Sequence, residues 1–285
     1  MARRKSWEWI DKGNGYAEVK LLSWKYFTDF VYKEMLNYET YVWRGQRCDD
    51  WALESTLDRL VNKAKVAKTK RHGFVKSHLE QFQYAVRGRR GMHPPLIEDE
   101  NEWWALGQHH GLATPLLDWT TSPFVAAYFA FIGEGEIQTR HRAIFALHRP
   151  TVERLVREKV KAKEEENKRD KEDKKPMNAL AALLMDAPVR PDVEFIRPFS
   201  DENMRLVNQG GLFTRAPRDK PLDIWIQENP DGNVGYTLIK IILPDVDRAE
   251  CLKMLNRMNI NHLTLFPDLY GASKFCNLFG EIEKY

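Results

Sequence analysis

Apolar positions recur at two different spacings along this chain. Between Ser23 and Asn37, the residues Phe27, Phe30, Val31 and Met35 or Leu36 fall three and four apart, which predicts a helix with Ser23 as its cap. Thr40–Gln46 packs aromatic and β-branched residues into a run of strand length, with Gly45 breaking it. Ala143–His148 and Thr237–Leu243 predict two more strands, the second apolar on both faces. His262–Phe266 predicts a last strand, ended by Pro267-Asp268-Leu269. Helices are predicted over the middle of Arg59–His93, where Phe74, Leu79, Phe82 and Val86 are available for burial, and over Glu98–Gln108 through Trp103 and Trp104. Two more are predicted over Pro123–Phe131, with proline in its favoured first position, and over Arg248–Met258. Phe195–Asn208 and Gly210–Thr214 read as a turn-rich transition. There is no internal repeat. Strands mixed with helices in no regular alternation predict an α+β fold.

Charge changes this picture in two places. Arg59–His93 carries ten basic residues against one acid, Glu80. Lys68, Lys70, Arg71, Arg87, Arg89 and Arg90, with Phe82 and Tyr84 interleaved, make it a candidate nucleic-acid surface. The alternative is an ordinary solvated face balanced by Glu98, Asp99, Glu100 and Glu102. In Glu153–Lys175, 18 of 23 residues are charged, ten positive and eight negative, so the signs nearly cancel. Pairs such as Glu164 with Lys168 and Glu165 with Arg169 favour an exposed helical or flexible insertion there.

Bulk composition adds bounds. A hydrophobic content of 43%, with nine Trp, ten Tyr and fourteen Phe, supports a real core and argues against disorder. A length of 285 residues allows one large domain or two small ones; a single domain is expected. A net charge of +3 means that any attraction to nucleic acid must come from a local patch. Cys48, Cys251 and Cys276 are widely spaced and form neither a disulfide framework nor a zinc motif, so no metal is expected and a reducing cytoplasm is. The N-terminus lacks the apolar run of a secretory signal. The longest apolar stretch, Phe124–Ile132, is far shorter than the roughly 20 residues that span a bilayer, so no membrane association is expected.

Three segments could carry chemistry. In Tyr41-Val42-Trp43-Arg44-Gly45-Gln46, an arginine at the end of a buried strand is a fork for phosphate, and the glycine lets a ligand approach. Equally, Arg44 could pair with a core carboxylate such as Asp118. Gln108–Pro123 gathers His109, His110, Asp118 and a hydroxyl cluster around tight turns, the composition of a pocket with a few convergent polar groups. Adjacent histidines project differently from any regular element, so shared metal ligation is not expected, and Asp118 reads first as a structural acid. Arg205–Thr214 places Gly210 and Gly211 after the amide pair Asn208-Gln209, a plain turn or a close approach of backbone to a ligand.

Together and in this order, these segments resemble the FRG domain family. The resemblance rests on Trp43-Arg44-Gly45, then His110-Gly111-Leu112, Thr114-Pro115, Leu117-Asp118-Trp119-Thr120 and Ser122-Pro123, running on to Ala127-Tyr128-Phe129-Ala130. Arg205, Gln209, Gly211, Phe213 and Thr214 follow, and Leu265–Gly271 closes it. It runs from Tyr41 to Gly271, with the charged 153–175 run as an insertion. A second resemblance, to arginine-serine-glutamate ADP-ribosyltransferases, lies in the order Arg-Gly, hydroxyl cluster, Ala-x-x-Phe helix. It implies a split mixed sheet flanked by helices, with NAD as co-substrate. By that resemblance Arg44 holds the phosphates, Thr121 or Ser122 lines the nicotinamide end, and Trp43, Trp119 or Tyr128 offers a stacking surface, with Gly45 and His110 beside them. The expected Glu-x-Glu is replaced by Gln209, and an amide cannot act as a general base. Asp118, His109 or His110 would then supply that role. The resemblance implies a toxin or anti-phage effector with an RNA, DNA or protein acceptor and a neutralising antitoxin or immunity partner. The alternative is a nucleotide- or nucleic-acid-binding module without turnover.

Overall fold

The computed structural model describes residues 6–37, 39–133, 139–173, 189–198, 204–232 and 235–285. The strands are β1 (Trp7–Asp11), β2 (Tyr16–Leu21), β3 (Tyr41–Gln46), β4 (Leu116–Thr120), β5 (His141–His148), β6 (Glu194–Ile196), β7 (Gly211–Arg215) and β8 (Leu238–Pro244). The helices are α1 (Phe27–Phe30), α2 (Thr56–Lys63), α3 (Lys68–Ala85), α4 (Glu100–His109), α5 (Pro123–Ile132), α6 (Arg149–Asp173), α7 (Met204–Asn208), α8 (Leu222–Glu228), α9 (Arg248–Arg257), α10 (His262–Leu265) and α11 (Leu269–Glu281). One eight-stranded sheet runs β1-β2-β8-β5-β3-β4-β7-β6. Only β2 and β8 pair in parallel; the other neighbours are antiparallel. The fold is α+β, as the mixed order of periodicities predicts.

Three apolar clusters hold helices to the sheet. Trp24, Phe27, Phe30, Tyr41, Trp43, Phe131, Ile241 and Leu252 belong to one, with α5 and α9 against a face of the central strands. Val42, Phe145, Trp119, Leu212 and Trp225 belong to the second, on the other face under α6 and α8. Leu57, Leu79, Trp104, Leu116 and Phe213 tie α2, α3 and α4 to β4 and β7. Alternation explains the division: in β3, Tyr41 and Trp43 go to the first cluster and Val42 to the second.

Several local expectations change in three dimensions. The 24–35 stretch is helical but irregular: a tight 3-10 turn (Trp24–Tyr26), α1, then a π turn (Val31–Met35). Ser23 makes no side-chain cap: the Tyr26 N–H donates to its carbonyl at 3.1 Å, and the Trp24 N–H donates to Asp247 Oδ2 at 2.6 Å. Gly45 does not break β3. It lies inside the strand, and a Cβ there would overlap Ala126 O and Ala130 N, so α5, not a ligand, occupies the space the glycine leaves. Gly211–Arg215 is an inner strand paired along its length with β4, not a turn. His262–Leu265 is a helical turn rather than a strand, because Asn261 and Thr264 form a reciprocal capping box at its start. Asp268 begins α11 by accepting the Gly271 N–H at 2.8 Å. In α6, Val152 and Val156 anchor the first turns, whereas residues 161–169 are exposed, a solvated arm; residues 174 and 175 lie outside the described residues. Among the described residues no helix is long and apolar enough to cross a membrane.

Candidate functional site

The sheet opens at its centre. β3 and β4 share a single register pair, Trp43 with Thr120, whereas β3 pairs with β5 over six residues and β4 with β7 over five. Backbone groups in such a gap need other partners. Arg44 supplies one: its Nη1 reaches across to the Asp118 carbonyl at 2.9 Å and to Asp118 Oδ2 at 3.3 Å. A cavity of ≈ 360 Å³ lies at this opening. Trp43, Trp119, Phe129, Phe213 and Phe266 give it aromatic walls; Arg44, Asp118, Arg205, Gln108 and Gln209 give it polar ones.

Arg44 is held in an unusual state. Its side chain is 18% exposed, and burial lowers its pKa from the ordinary value, opposed by Asp118. Its buried Nε has no hydrogen-bond partner. A buried donor left without a partner carries its desolvation cost in the folded protein. Asp118 is the sole carboxylate among the described residues lining the cavity, and its side chain is 57% exposed. Gln108 Nε2 donates to both its oxygens, at 3.1 and 2.9 Å, and Gln108 Oε1 in turn accepts from Thr114 Oγ1. The expected structural role of Asp118 and its exposure to the cavity therefore coexist.

Of the residues singled out from sequence, Trp43, Arg44, Gly45, His109, Asp118, Trp119 and Gln209 line this cavity. Four do not. Ser122 caps α5, its Oγ accepting the Val125 N–H at 3.3 Å. Thr121 is exposed, and its N–H donates to Gly210 O at 3.0 Å. His110 is exposed just beyond the end of α4. Tyr128 is fully buried with its hydroxyl 2.6 Å from His262 Nδ1, so no ligand can stack on it; burial, then the neighbouring Tyr285, pushes its pKa upward. Gln209 is also committed. Its Nε2 donates to Leu265 O at 3.1 Å, and its carbonyl accepts from Thr120 Oγ1 at 2.6 Å.

One wall of the cavity was not legible as such. Arg205 of α7 pairs with Asp268 through Nε at 3.0 Å and through Nη2, while its guanidinium lies 5.2 Å from the Phe266 ring and 5.6 Å from the Tyr270 ring. Asn208 Nδ2 donates to Thr264 O at 3.1 Å. These bonds fasten the start of β7 to the α10–α11 connection and set Phe266 at the cavity. The Gly271 N–H, then Arg205, holds the Asp268 carboxyl below its usual range. Among the described residues no three His, Cys, Asp or Glu side chains are grouped to hold a metal ion.

The six basic candidates of the 59–93 region lie elsewhere and are largely occupied. Arg71 pairs with Asp219 and donates to Asn62 Oδ1 at 2.8 Å. Arg87 lies 3.6 Å over the Tyr84 ring. Arg89 donates to Ala85 O at 2.7 Å and Arg90 to Pro95 O at 2.9 Å. Lys68 and Lys70 are exposed, and Lys68 and Arg71 line a second, larger groove of ≈ 830 Å³ between α3, α4 and the loop after β7.

No curated protein and no solved structure matches the chain. Residues 39–139, which hold Trp43-Arg44-Gly45 and Leu117-Asp118-Trp119-Thr120, match the family model of the FRG domain.

Proposed function

We propose that the cavity binds NAD and that the protein is an ADP-ribosyltransferase acting on a macromolecular acceptor. The observation that carries this reading is the meeting of Arg44, Asp118 and Gln209 on three strands that are neighbours in the sheet, β3, β4 and the entry to β7. An arginine at the wall of the cavity, beside aromatic side chains and an exposed carboxylate, suits a diphosphate joined to flat rings. Arg44 grips phosphate, and the part-exposed ring of Phe266 or Phe129 offers a face to a base or to nicotinamide, Trp43 and Trp119 being buried in the core beneath them. Transfer breaks the bond between nicotinamide nitrogen and the ribose carbon, and joins that carbon to an acceptor nucleophile. The Asp118 carboxylate faces the positive charge that develops on the ribose and receives the acceptor's proton. Gln209 then has a fastening role, since its amide is spent on Leu265 O. An enzyme that consumes NAD endangers its own cell, so the reading brings with it a neutralising partner and a role as a toxin or anti-phage effector.

The test is incubation of the purified protein with radiolabelled NAD, alone and with RNA, DNA or cell lysate, following free nicotinamide and label transfer. Label on one acceptor class, lost in Arg44→Ala, is the expected result. Full turnover in that variant, or no nicotinamide release by the folded wild type with any acceptor, sinks the assignment. A nucleotide- or nucleic-acid-binding module is then the reading left.

A further inference from the structure

The same two side chains suggest how the site is kept idle. Arg44 Nη1 spends its bonds on Asp118, on both the carbonyl oxygen and a carboxylate oxygen. A phosphate arriving at Arg44 meets a carboxylate already there, of like charge and with similar hydrogen-bond geometry. The two anions cannot share that face of the guanidinium without repulsion. The carboxylate is the one able to leave. It is more than half exposed, and Gln108 Nε2 bonds both of its oxygens, so a second donor waits to hold it. Arg44 is anchored by burial and by the Asp118 carbonyl, a main-chain group that stays where the strand puts it.

We propose that Asp118 is a built-in stand-in for the ligand's phosphate. In the free protein its carboxylate occupies Arg44. A bound diphosphate takes its place on Nη1, and Asp118 shifts onto Gln108, facing the ribose end. The exchange rests on the reading of Arg44 as the phosphate grip given above. It makes the acid available only when substrate is bound, which suppresses reaction of the empty site. Asp118 thus has two opposed effects: it weakens binding and it supports the chemical step.

The opposition is measurable. Inorganic pyrophosphate and ADP-ribose are titrated calorimetrically into wild type, Asp118→Asn and Asp118→Ala, each checked for an intact thermal transition. Removing the competing charge is expected to tighten pyrophosphate binding about two- to fivefold in both variants, the scale of a partly exposed ion pair lost. Adding Arg44→Gln to either is expected to abolish it. Affinity in the Asp118 variants equal to or weaker than wild type overturns the exchange, as does absence of pyrophosphate binding to all three proteins. Nicotinamide release from NAD is followed in parallel and separates the two claims. Tighter pyrophosphate binding with nicotinamide release lost in Asp118→Asn supports both. Tighter binding with no release even by wild type keeps the exchange and removes the transferase.

Discussion

The cavity between β3 and β4 and the outer face of α3 both set arginines beside aromatic rings, yet they use them in opposite ways. On α3 and the loop after it, each guanidinium finds a partner close by: Arg71 has Asp219 and Asn62, Arg87 has the Tyr84 ring, and Arg89 and Arg90 have main-chain carbonyls. At the cavity there are only two arginines. Arg205 is consumed by Asp268, and Arg44 is buried at the cavity against a carboxylate that is itself more than half exposed. Position at a cavity beside a partner able to leave, not density, distinguishes a binding arginine from a structural one. The two regions differ in tolerance as well. The cavity is built on contacts between backbones, whereas α3 is a helix with one face in water, on which Leu79 alone is fully buried.

The sharpest way to break that comparison is a pair of glycine substitutions. Gly45→Ala drives a methyl into the α5 backbone at Ala126 and Ala130, atoms that cannot swing aside. A loss of about 3 kcal/mol in denaturant unfolding is expected, at the upper end for overpacking. Gly73→Ala, inside α3 with nothing within 4 Å of the new methyl, is expected to gain about 0.5–1 kcal/mol. If both are neutral, the close packing of α5 on β3 is not what frames the site.

Next in size is the effect on ligand. Arg44→Ala is expected to reduce NAD turnover at least about a hundredfold, the scale for removing a donor aimed at developing or bound charge. Arg89→Ala is expected to change it less than about twofold, since a carbonyl-bonded surface arginine contributes little. A larger loss from Arg89 than from Arg44 reverses the comparison and makes α3 the functional face. Smaller again is Arg71→Ala. It removes an ion pair and the bond to Asn62, with an expected cost of about 1 kcal/mol in thermal unfolding and no change at the cavity.

Much of this was legible along the chain, and the omissions have physical causes. β3, β5, β8 and the α5 and α9 helices follow from periodicity because each buries its own pattern. β7 escaped because Gly210 and Gly211 look like a turn; only the pairing of Gly211–Arg215 with β4 makes it a strand. His262–Phe266 reads as a strand, yet the conformation of His262–Leu265 is decided by the Asn261–Thr264 capping box. Arg44 and Asp118 were found because their types suit a pocket; Trp43, Trp119 and Gln209 came through the family resemblance. Tyr128 and Ser122 have equally suitable types, and what removes them is direction: one points into the core at His262, the other caps α5. Phe266 and Arg205 reach the cavity through a clamp that joins residues 63 apart, a distance that no local pattern spans.

That clamp supplies the smallest expected effect and the finest distinction between the regions. The Asp268 carboxyl is held below its usual value by the Gly271 N–H and then by Arg205. A carboxyl depressed in the folded state stabilises at pH above its unfolded value, about 3.9, and the contribution is lost as pH falls through the lower folded value. The wall carrying Phe266 is therefore expected to be unchanged from pH 7 to about 5 and to loosen only below about 4. Amide exchange at Gly271, corrected for intrinsic rate, reports this directly: protection should drop in that acid window in wild type. In Asp268→Asn the pH step should vanish, because the amide oxygen still accepts the Gly271 N–H but no longer titrates or pairs with Arg205. A protection loss centred near pH 6 would place control with a histidine, and His262, stacked 4.9 Å from Phe266, would be the residue to replace.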